Sequence, residues 1–201
     1  MRLYCATSNP GKLREFRLAA GPNWELTPLT GIPPCEETGS TFEENAIAKA
    51  IYYSRHAPGL LFAEDSGLEV DSLGGAPGAH SARFAGARAT DDDNNRLLIE
   101  KLRGVHDRSA RYVSVIAIAE GAKLLETFRG EVEGCILGEP RGTNGFGYDP
   151  YFFHEPIGLT FAQASTEQKL SVSHRGRALG KMLAWLGARC PWRRLSAPNA
   201  T

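Results

Sequence analysis

Residues 60–78 read LLFAEDSGLEVDSLGGAPG. The apolar run at 60–63 predicts a buried strand, and Ser66-Gly67 after it predicts that the strand leaves the sheet there. Glu64 and Asp65 lie at this exit, and ionised carboxylates are costly to bury without a partner. The pair therefore indicates a cation, a hydrogen-bond network or an exchangeable proton, and a divalent metal with an activated water would use all three. A solvated acidic turn is the structural alternative.

The size and charge of the chain favour a single globular domain. At 201 residues it can bury a real core, and we expect one domain over residues 1–190 with a frayed tail at 191–201. Lys plus Arg and Asp plus Glu both number 23, so the net charge of zero gives no field for holding nucleic acid or a membrane surface.

Cysteine spacing and the start of the chain predict a cytoplasmic protein. No C-x-x-C pair occurs among the four cysteines, which argues against zinc and redox motifs and favours free thiols; they are Cys5, Cys35, Cys135 and Cys190. The chain starts without a signal-peptide pattern, and no apolar run approaches membrane-spanning length.

The turn at residues 7–12, TSNPGK, separates a predicted strand at 2–6 from a predicted helix. Hydroxyl groups, free backbone amides and the positive end of the helix dipole converge in such a turn, which favours an anion. Lys12 opposes the dipole, so its position makes sense if a phosphate lies in front of it. An exposed lysine on an ordinary turn is the alternative, and the spacing is not that of a P-loop.

A second acidic pair, Glu36-Glu37, precedes a helix. Ser40 and Glu43 match a capping box, which explains Glu43 and its neighbour as residues of the helix start. Glu36 and Glu37 have no such local role and could approach Glu64 and Asp65. Carboxylates pooled from separate segments are typical of Mg²⁺ sites, although a solvated acidic loop would also fit.

The second half of the chain predicts a mixed sheet flanked by helices. Thr90 caps a helix whose first turn holds Asp91, Asp92 and Asp93, and we assign these acids to the helix dipole. The strand-like run at 112–119 turns at Glu120-Gly121 into further strand residues, which predicts an antiparallel hairpin.

Two later segments offer groups for a ligand. Residues 142–153, GTNGFGYDPYFF, combine glycines with aromatic rings that could stack on a nucleobase or could feed an aromatic core strand. Lys169, His174 and Arg175 place three hydrogen-bond donors near the start of a helix predicted at 176–188.

Six short motifs, which occur in the same order as in the family, resemble the non-canonical purine nucleoside triphosphate pyrophosphatases, also called inosine/xanthosine triphosphate pyrophosphatases. They are TSNPGK at 7–12, EETGSTFEENA at 36–46, EDSGL at 64–68, GGAPG at 74–78, FGYDP at 146–150 and SHR at 173–175. Such matches span nearly the whole chain. The resemblance implies hydrolysis of ITP, dITP and XTP to the monophosphate and pyrophosphate with Mg²⁺, an elongated mixed α/β fold with two lobes around a cleft, and a homodimer.

The resemblance also implies roles for residues. Asp65 would be a metal ligand and the proton acceptor, with Lys12 and Glu64 as further catalytic residues; Glu64 stands where many members have aspartate. Glu37, or its neighbour Glu36, would complete the metal site. The triphosphate would lie on Thr7, Ser8, Asn9, Pro10, Gly11 and Lys12, and further substrate contacts would come from Ser66, Phe146, Gly147, Tyr148, Asp149, Lys169, His174 and Arg175. Two alternatives stay open: a pyrophosphatase for other modified nucleotides, and a nucleotide-binding regulator without turnover.

Overall fold

The computed structural model describes residues 2–189, and in this part of the chain seven strands form one sheet. The strands are β1 (Arg2–Ala6), β2 (Glu25–Pro28), β3 (Leu61–Val70), β4 (Ser109–Glu120), β5 (Lys123–Ile136), β6 (Phe152–His154) and β7 (Leu159–Thr160). The α-helices are α1 (Pro10–Ala20), α2 (Phe42–Ser54), α3 (Asp91–Lys101), α4 (Thr166–Val172) and α5 (His174–Arg189). Short 3-10 helices cover Asp71–Leu73, Gly78–Arg83 and Glu155–Ile157. No helix in residues 2–189 has the length and apolarity needed to cross a bilayer. The tail predicted at 191–201 lies outside the described residues.

The sheet is mixed, as the sequence predicted. Its strand order is β2-β1-β3-β4-β5-β6-β7. β1 runs parallel to β2 and β3, whereas all later neighbours are antiparallel. The long β4–β5 hairpin confirms the antiparallel pair predicted around Glu120-Gly121.

The predicted exit of β3 at its acidic pair is wrong, because β3 continues through Glu64 and Asp65 to Val70. Pairing with β1 stops at Ala6 and Ala63, but pairing with β4 runs on to Val70 and Ala110. One edge of β3 is therefore open beyond Ala63, while the other edge keeps the strand in the sheet.

Side chains along β3 alternate between two faces of the sheet. Phe62 packs in the cluster that contains Phe16 of α1 and Met182 of α5. Ala63 packs in the cluster that contains Phe42 of α2 on the opposite face. Glu64 continues the Phe62 side and Asp65 the Ala63 side, so the two adjacent carboxylates lie in different surroundings.

A third apolar cluster lies beyond the acidic pair. It joins Leu68 and Val70 of β3 to Leu98 of α3 and to the aromatic rings of Phe152 and Phe161. The acidic pair thus lies between packed regions, in agreement with the expected cleft between two lobes.

Several predicted helix and strand ends shift by one or two residues. The capping box of α2 uses Thr41 and Glu44, not Ser40 and Glu43: Glu44 N donates to Thr41 Oγ1 at 3.1 Å and Thr41 N to Glu44 Oε2 at 3.2 Å. Both registers satisfy the motif, and the Gly39 N–H donated to Asn45 Oδ1 (2.8 Å) favours the later one. α5 begins at His174, two residues before the predicted start.

Candidate active site

The turn between β1 and α1 presents Lys12 to the open edge of β3. Asn9 caps α1, and its Oδ1 accepts hydrogen bonds from the amides of Gly11 (2.8 Å) and Lys12 (3.1 Å). These amides, expected to be free, are therefore already satisfied by the asparagine cap. The Lys12 side chain reaches into the cleft instead, where Nζ lies 2.8 Å from Glu64 Oε2.

Glu64 is buried on the α1 and α5 side of the sheet. Its Oε1 accepts hydrogen bonds from Ser114 Oγ (2.9 Å) and Arg175 Nε (3.1 Å). Burial by itself would raise the pKa of Glu64, but Arg175 and then Lys12 outweigh it and hold that pKa well below its usual range. Glu64 is consequently a weak proton acceptor, and its contacts orient two cations.

Asp65 faces α2 on the other side of the sheet. Its Oδ1 lies 2.9 Å from Lys49 Nζ, and its Oδ2 accepts a hydrogen bond from Asn45 Nδ2 at 3.2 Å. Burial raises the pKa of the Asp65 carboxyl, and Lys49 offsets only part of that effect. Asp65 is therefore the better proton acceptor of the adjacent pair.

Glu37 joins Asp65 through the same lysine. Its Oε1 lies 2.7 Å from Lys49 Nζ, and its Oε2 lies 3.3 Å from Arg83 Nη1. Its neighbour Glu36 is exposed. Of the acidic pair at 36–37, Glu37 is the carboxylate that shares a partner with Asp65.

Glu15 of α1 links the two cations near α5. Its Oε1 lies 2.8 Å from Lys169 Nζ, and its Oε2 pairs with Arg175 Nη1. Lys169 Nζ also lies 2.6 Å from Asp149 Oδ2. With the pairs of Glu64, a buried network forms from the carboxylates of Glu15, Glu64 and Asp149 and the cations of Lys12, Lys169 and Arg175. Three negative and three positive groups balance, which makes the burial of these charges tolerable.

A cavity of about 120 Å³ lies beside this network. The Phe146 ring borders it, with Lys169 Nζ 4.9 Å and Arg175 Cζ 5.6 Å from the ring centroid. Tyr112 stacks on His174 with ring centroids 4.7 Å apart. Other predicted residues in the wall are Asn9, Lys12, Ser66, Gly147, Tyr148 and Asp149. Predicted substrate residues from four segments thus line one aromatic cavity, whereas Thr7, Ser8, Pro10 and Gly11 do not line it.

His174 carries an unused polar atom in this wall. Its Nδ1 is buried and has no hydrogen-bond partner among the described residues. Burial, together with Arg175 and Lys169, holds the pKa of His174 well below its usual range, so the imidazole is neutral. A buried polar atom without a partner is rare in folded proteins, which distinguishes His174 from the other polar residues of the wall.

A second, more polar cavity of about 610 Å³ adjoins the first. Asn9, Lys12 and Ala82 border both, so the two spaces meet at the Lys12 side chain. The walls of the second cavity include Thr7, Ser8, Glu37, Lys49 and Glu64. One space is aromatic and the other carries acids, lysines and hydroxyl groups.

The buried polar side chains of the site that were missed in the sequence include Glu15, Asn45, Lys49 and Ser114. Glu15 precedes the buried Phe16 of α1, and Asn45 and Lys49 are one helical turn apart on the buried face of α2. Polar residues on an otherwise apolar helix face are the signal that could have found three of them. Ser114, inside an apolar strand, gives a similar signal.

The neighbouring carboxylates of Asp65 and Glu37 suit magnesium. Asp65 and Glu37 both lie within 3 Å of Lys49 Nζ, which shows that the two carboxylates can serve one cation. In residues 2–189 no three His, Cys, Asp or Glu side chains group closely enough to hold a metal by themselves. Mg²⁺ commonly takes one or two carboxylates and completes its shell with water and substrate phosphates, so this donor set fits it.

Comparison with known proteins relates the whole arrangement to one family. Residues 3–185 match the model of the Ham1 family. A dITP/XTP pyrophosphatase from Acidobacterium capsulatum is 49% identical over 199 residues, covering 92% of this chain and 98% of that protein. A dITP/XTP pyrophosphatase from Deinococcus radiodurans is 47% identical over 189 residues, covering 93% and 94%. The structure of the Staphylococcus aureus Ham1 protein matches with a TM-score of 0.84 at 38% identity, over 94% of this chain and 100% of that one. Since sequence and fold agree along nearly the full length, the chain belongs to the Ham1 family.

Proposed function

We propose that the chain hydrolyses non-canonical purine nucleoside triphosphates, such as dITP, ITP and XTP, to the nucleoside monophosphate and pyrophosphate. Relatives named dITP/XTP pyrophosphatase support this reaction. The observation that carries the proposal is the meeting of two cavities at Lys12, one aromatic and one lined by charged and hydroxyl groups. A nucleotide with its base in the first and its phosphates in the second would use both.

The triphosphate would lie along residues 7–12. Thr7 and Ser8 offer hydroxyl groups at the polar cavity, and Lys12 offers an ammonium between the two spaces. Glu64 holds this ammonium at 2.8 Å, which fixes the position of the charge before substrate arrives. Preorganised cations stabilise the charge that develops on phosphate oxygens during transfer.

Asp65 would accept the proton of the attacking water. The water oxygen bonds to the α-phosphorus, the bond from that phosphorus to the bridging oxygen breaks, and pyrophosphate leaves. The proton passes to a carboxylate whose raised pKa makes it a stronger base than an ordinary aspartate. Glu64, with its lowered pKa, would position Lys12 and Arg175 in this scheme.

Asp65 and Glu37 would hold Mg²⁺, and exposed Glu36 is the less suited member of its pair. When bound, the metal supplies charge neutralisation on phosphate oxygens and a more acidic water. Lys49 now bridges the same two carboxylates, so the ammonium and the metal compete for their oxygens.

The base would lie between Phe146 and the donors of α4 and α5. Lys169 and Arg175 are cations, and His174 offers the unpaired Nδ1. A donor aimed at a 6-oxo group leaves the 6-amino group of adenine poorly paired, and sites that depend on hydrogen bonds reject such substrates strongly. Ser66 and residues 147–149 complete the wall of the cavity.

The family resemblance further supports a homodimer. A purified chain that sediments at the mass of two copies at micromolar concentration would agree with the dimer. Sedimentation as a monomer at every concentration would contradict it.

Pyrophosphate release from ITP, XTP, dITP, ATP, GTP and dUTP, each with and without Mg²⁺, tests the function. We expect Mg²⁺-dependent release from ITP, dITP or XTP and little from ATP and GTP. If the protein bound all six nucleotides without releasing pyrophosphate, the proposed enzyme activity would be wrong and a nucleotide-binding regulator would be the better assignment. Preference for dUTP would move the assignment to modified pyrimidine nucleotides.

A further inference from the structure

The start of α3 contacts the loop that carries Phe146. Asp91 Oδ2 accepts a hydrogen bond from the amide of Gly147 at 2.6 Å, and Asn95 Nδ2 donates to the carbonyl of Gly147 at 3.0 Å. Asp91 and Asn95 are four residues apart and lie on one side of the helix. One helix face therefore satisfies both backbone polar groups of a single loop residue.

Asp91 is not required for the cap of α3. Thr90 is the N-cap, and Asp93 closes the capping box, accepting from Thr90 N at 3.0 Å. The assignment of all three aspartates to the helix start thus describes Asp93 but leaves the Gly147 contact of Asp91 unexplained. Asp91 also borders the aromatic cavity.

Gly147 has a left-handed backbone with φ of 65°, which other residues rarely adopt. A Cβ there would meet nothing within 4 Å, so glycine serves the backbone conformation and not a close approach. A turn of this kind has no regular partner for its amide and carbonyl, and α3 supplies both.

The position of Gly147 determines that of the neighbouring Phe146 ring. This ring packs on Gly11 of the turn at residues 7–12, where a Cβ would lie 2.8 Å from Phe146 Cδ1. The Phe146 amide is tied in turn to Asp149 Oδ2 at 3.0 Å. The loop is thus held at Asp149 from the α4 side and at Gly147 from the α3 side.

We propose that Asp91 is a positioning residue for the base: by holding the Gly147 amide it fixes the Phe146 ring beside the aromatic cavity, and Asn95 braces the same turn. The inference rests on the proposed function of residues 146–149 in binding the base. Asp91 acts through the hydrogen bond it accepts, so its negative charge is not the essential property.

The test compares Asp91→Ala and Asp91→Asn with Asp92→Ala, an exposed acid of the same helix turn. Hydrogen–deuterium exchange of the Gly147 amide is followed by NMR, and KM and kcat are measured with ITP. In Asp91→Ala we expect exchange and KM to rise about tenfold, the effect of losing one hydrogen bond, with kcat within about twofold. Asp91→Asn, whose amide oxygen still accepts, and Asp92→Ala should stay near the wild type.

Three outcomes would overturn the proposal. If exchange of the Gly147 amide is unchanged in Asp91→Ala, Asp91 does not hold that amide. If exchange is faster but KM is unchanged, Asp91 holds the amide but does not position the base. Asp91→Asn behaving like Asp91→Ala would show that charge, not the hydrogen bond, is what matters. A wild type inactive on ITP, dITP and XTP would instead reject the proposed function, which the exchange measurement reports separately.

Discussion

Glu64 and Asp65 are neighbours in the chain with opposite electrostatic surroundings. Burial by itself would raise the pKa of Glu64, but Arg175 and then Lys12 outweigh it and keep that pKa low. Burial raises the pKa of Asp65, and Lys49 offsets only part of that effect. Because β3 continues through both residues, its alternating faces separate an acid that positions cations from an acid that can accept a proton.

Asp65→Asn tests this division of roles. An amide cannot take the proton of water and is a poor magnesium ligand, so turnover of ITP should fall by about two orders of magnitude or more. The far-ultraviolet circular dichroism should not change. Glu69→Gln, which removes another carboxylate of β3 that pairs with Arg111 near the surface, is the control and should keep its activity. Activity near the wild-type level in Asp65→Asn would exclude Asp65 as the base.

His174 should make stability depend on pH. The pKa of His174 in the native chain lies well below that of an exposed histidine. As the pH falls below the pKa of an exposed histidine, the unfolded chain therefore binds a proton that the native chain does not. The contribution of His174 to the free energy of unfolding should therefore fall as pH drops, by about 1.4 kcal/mol per pH unit below about pH 6.5.

Urea unfolding of the wild type and of His174→Gln at several pH values between about 7.5 and 5.5 isolates this effect, because all other titrating groups are common to both proteins. A difference between the two that stays constant across this range would show that His174 is protonated equally in the native and unfolded chains.

At the scale of the element, β3 shows why local patterns predicted its start and not its end. The apolar run at 60–63 was visible in the sequence, but the extension to Val70 depends on β4, which pairs with it from a distant segment. Gly67, interpreted as a strand breaker, instead makes room for the 3-10 helix Gly78–Arg83. A Cβ at Gly67 would overlap Ser81 Oγ and lie 2.7 Å from Gly78 O.

Gly67→Ala should therefore destabilise the protein by about 1–3 kcal/mol through overpacking, since a backbone carbonyl must move to admit the methyl group. Gly59→Ala is a matched control shortly before the same strand, because a Cβ there meets nothing within 4 Å. Equal unfolding midpoints in urea for the two variants would contradict the close approach at Gly67.

In the helices, too, local sequence signals predicted some features, whereas features that depend on distant segments were missed. The turn at 7–12 and the start of α1 follow from local signals, and Lys12 was found because it opposes the helix dipole. Glu15 and Lys49 were missed because each lies in an amphipathic helix whose partners, Arg175 and Asp65, come from other segments. Tertiary pairing gives these polar residues their role, and helix periodicity alone does not reveal it.

At the scale of the whole molecule, the buried ion pairs join the two ends of the chain. Glu15 of α1 contacts Lys169 of α4 and Arg175 of α5, more than 150 residues later. Arg175 also pairs with Glu64 of β3 in the middle of the sheet. The network that borders the aromatic cavity is therefore also a link between the N-terminal and C-terminal segments.

Glu15→Gln should reveal both functions of this link. Removing one negative charge from this balanced buried network leaves one positive charge uncompensated, although Lys169 keeps Asp149 and Arg175 keeps Glu64 as a partner. An uncompensated buried charge typically costs about 3 kcal/mol or more. Urea unfolding should show this loss, and KM for ITP should rise because Lys169 and Arg175 lose the carboxylate that aligns them. Glu25→Gln is the control: Glu25 pairs with Arg2 on the surface, where side-chain exposures of 60% and 58% make an ion pair weak. If both variants unfold at the same urea concentration, the ion pairs of Glu15 do not stabilise the contact between α1 and the C-terminal helices. If stability falls in Glu15→Gln but KM for ITP is unchanged, Glu15 does not align Lys169 and Arg175 for substrate binding.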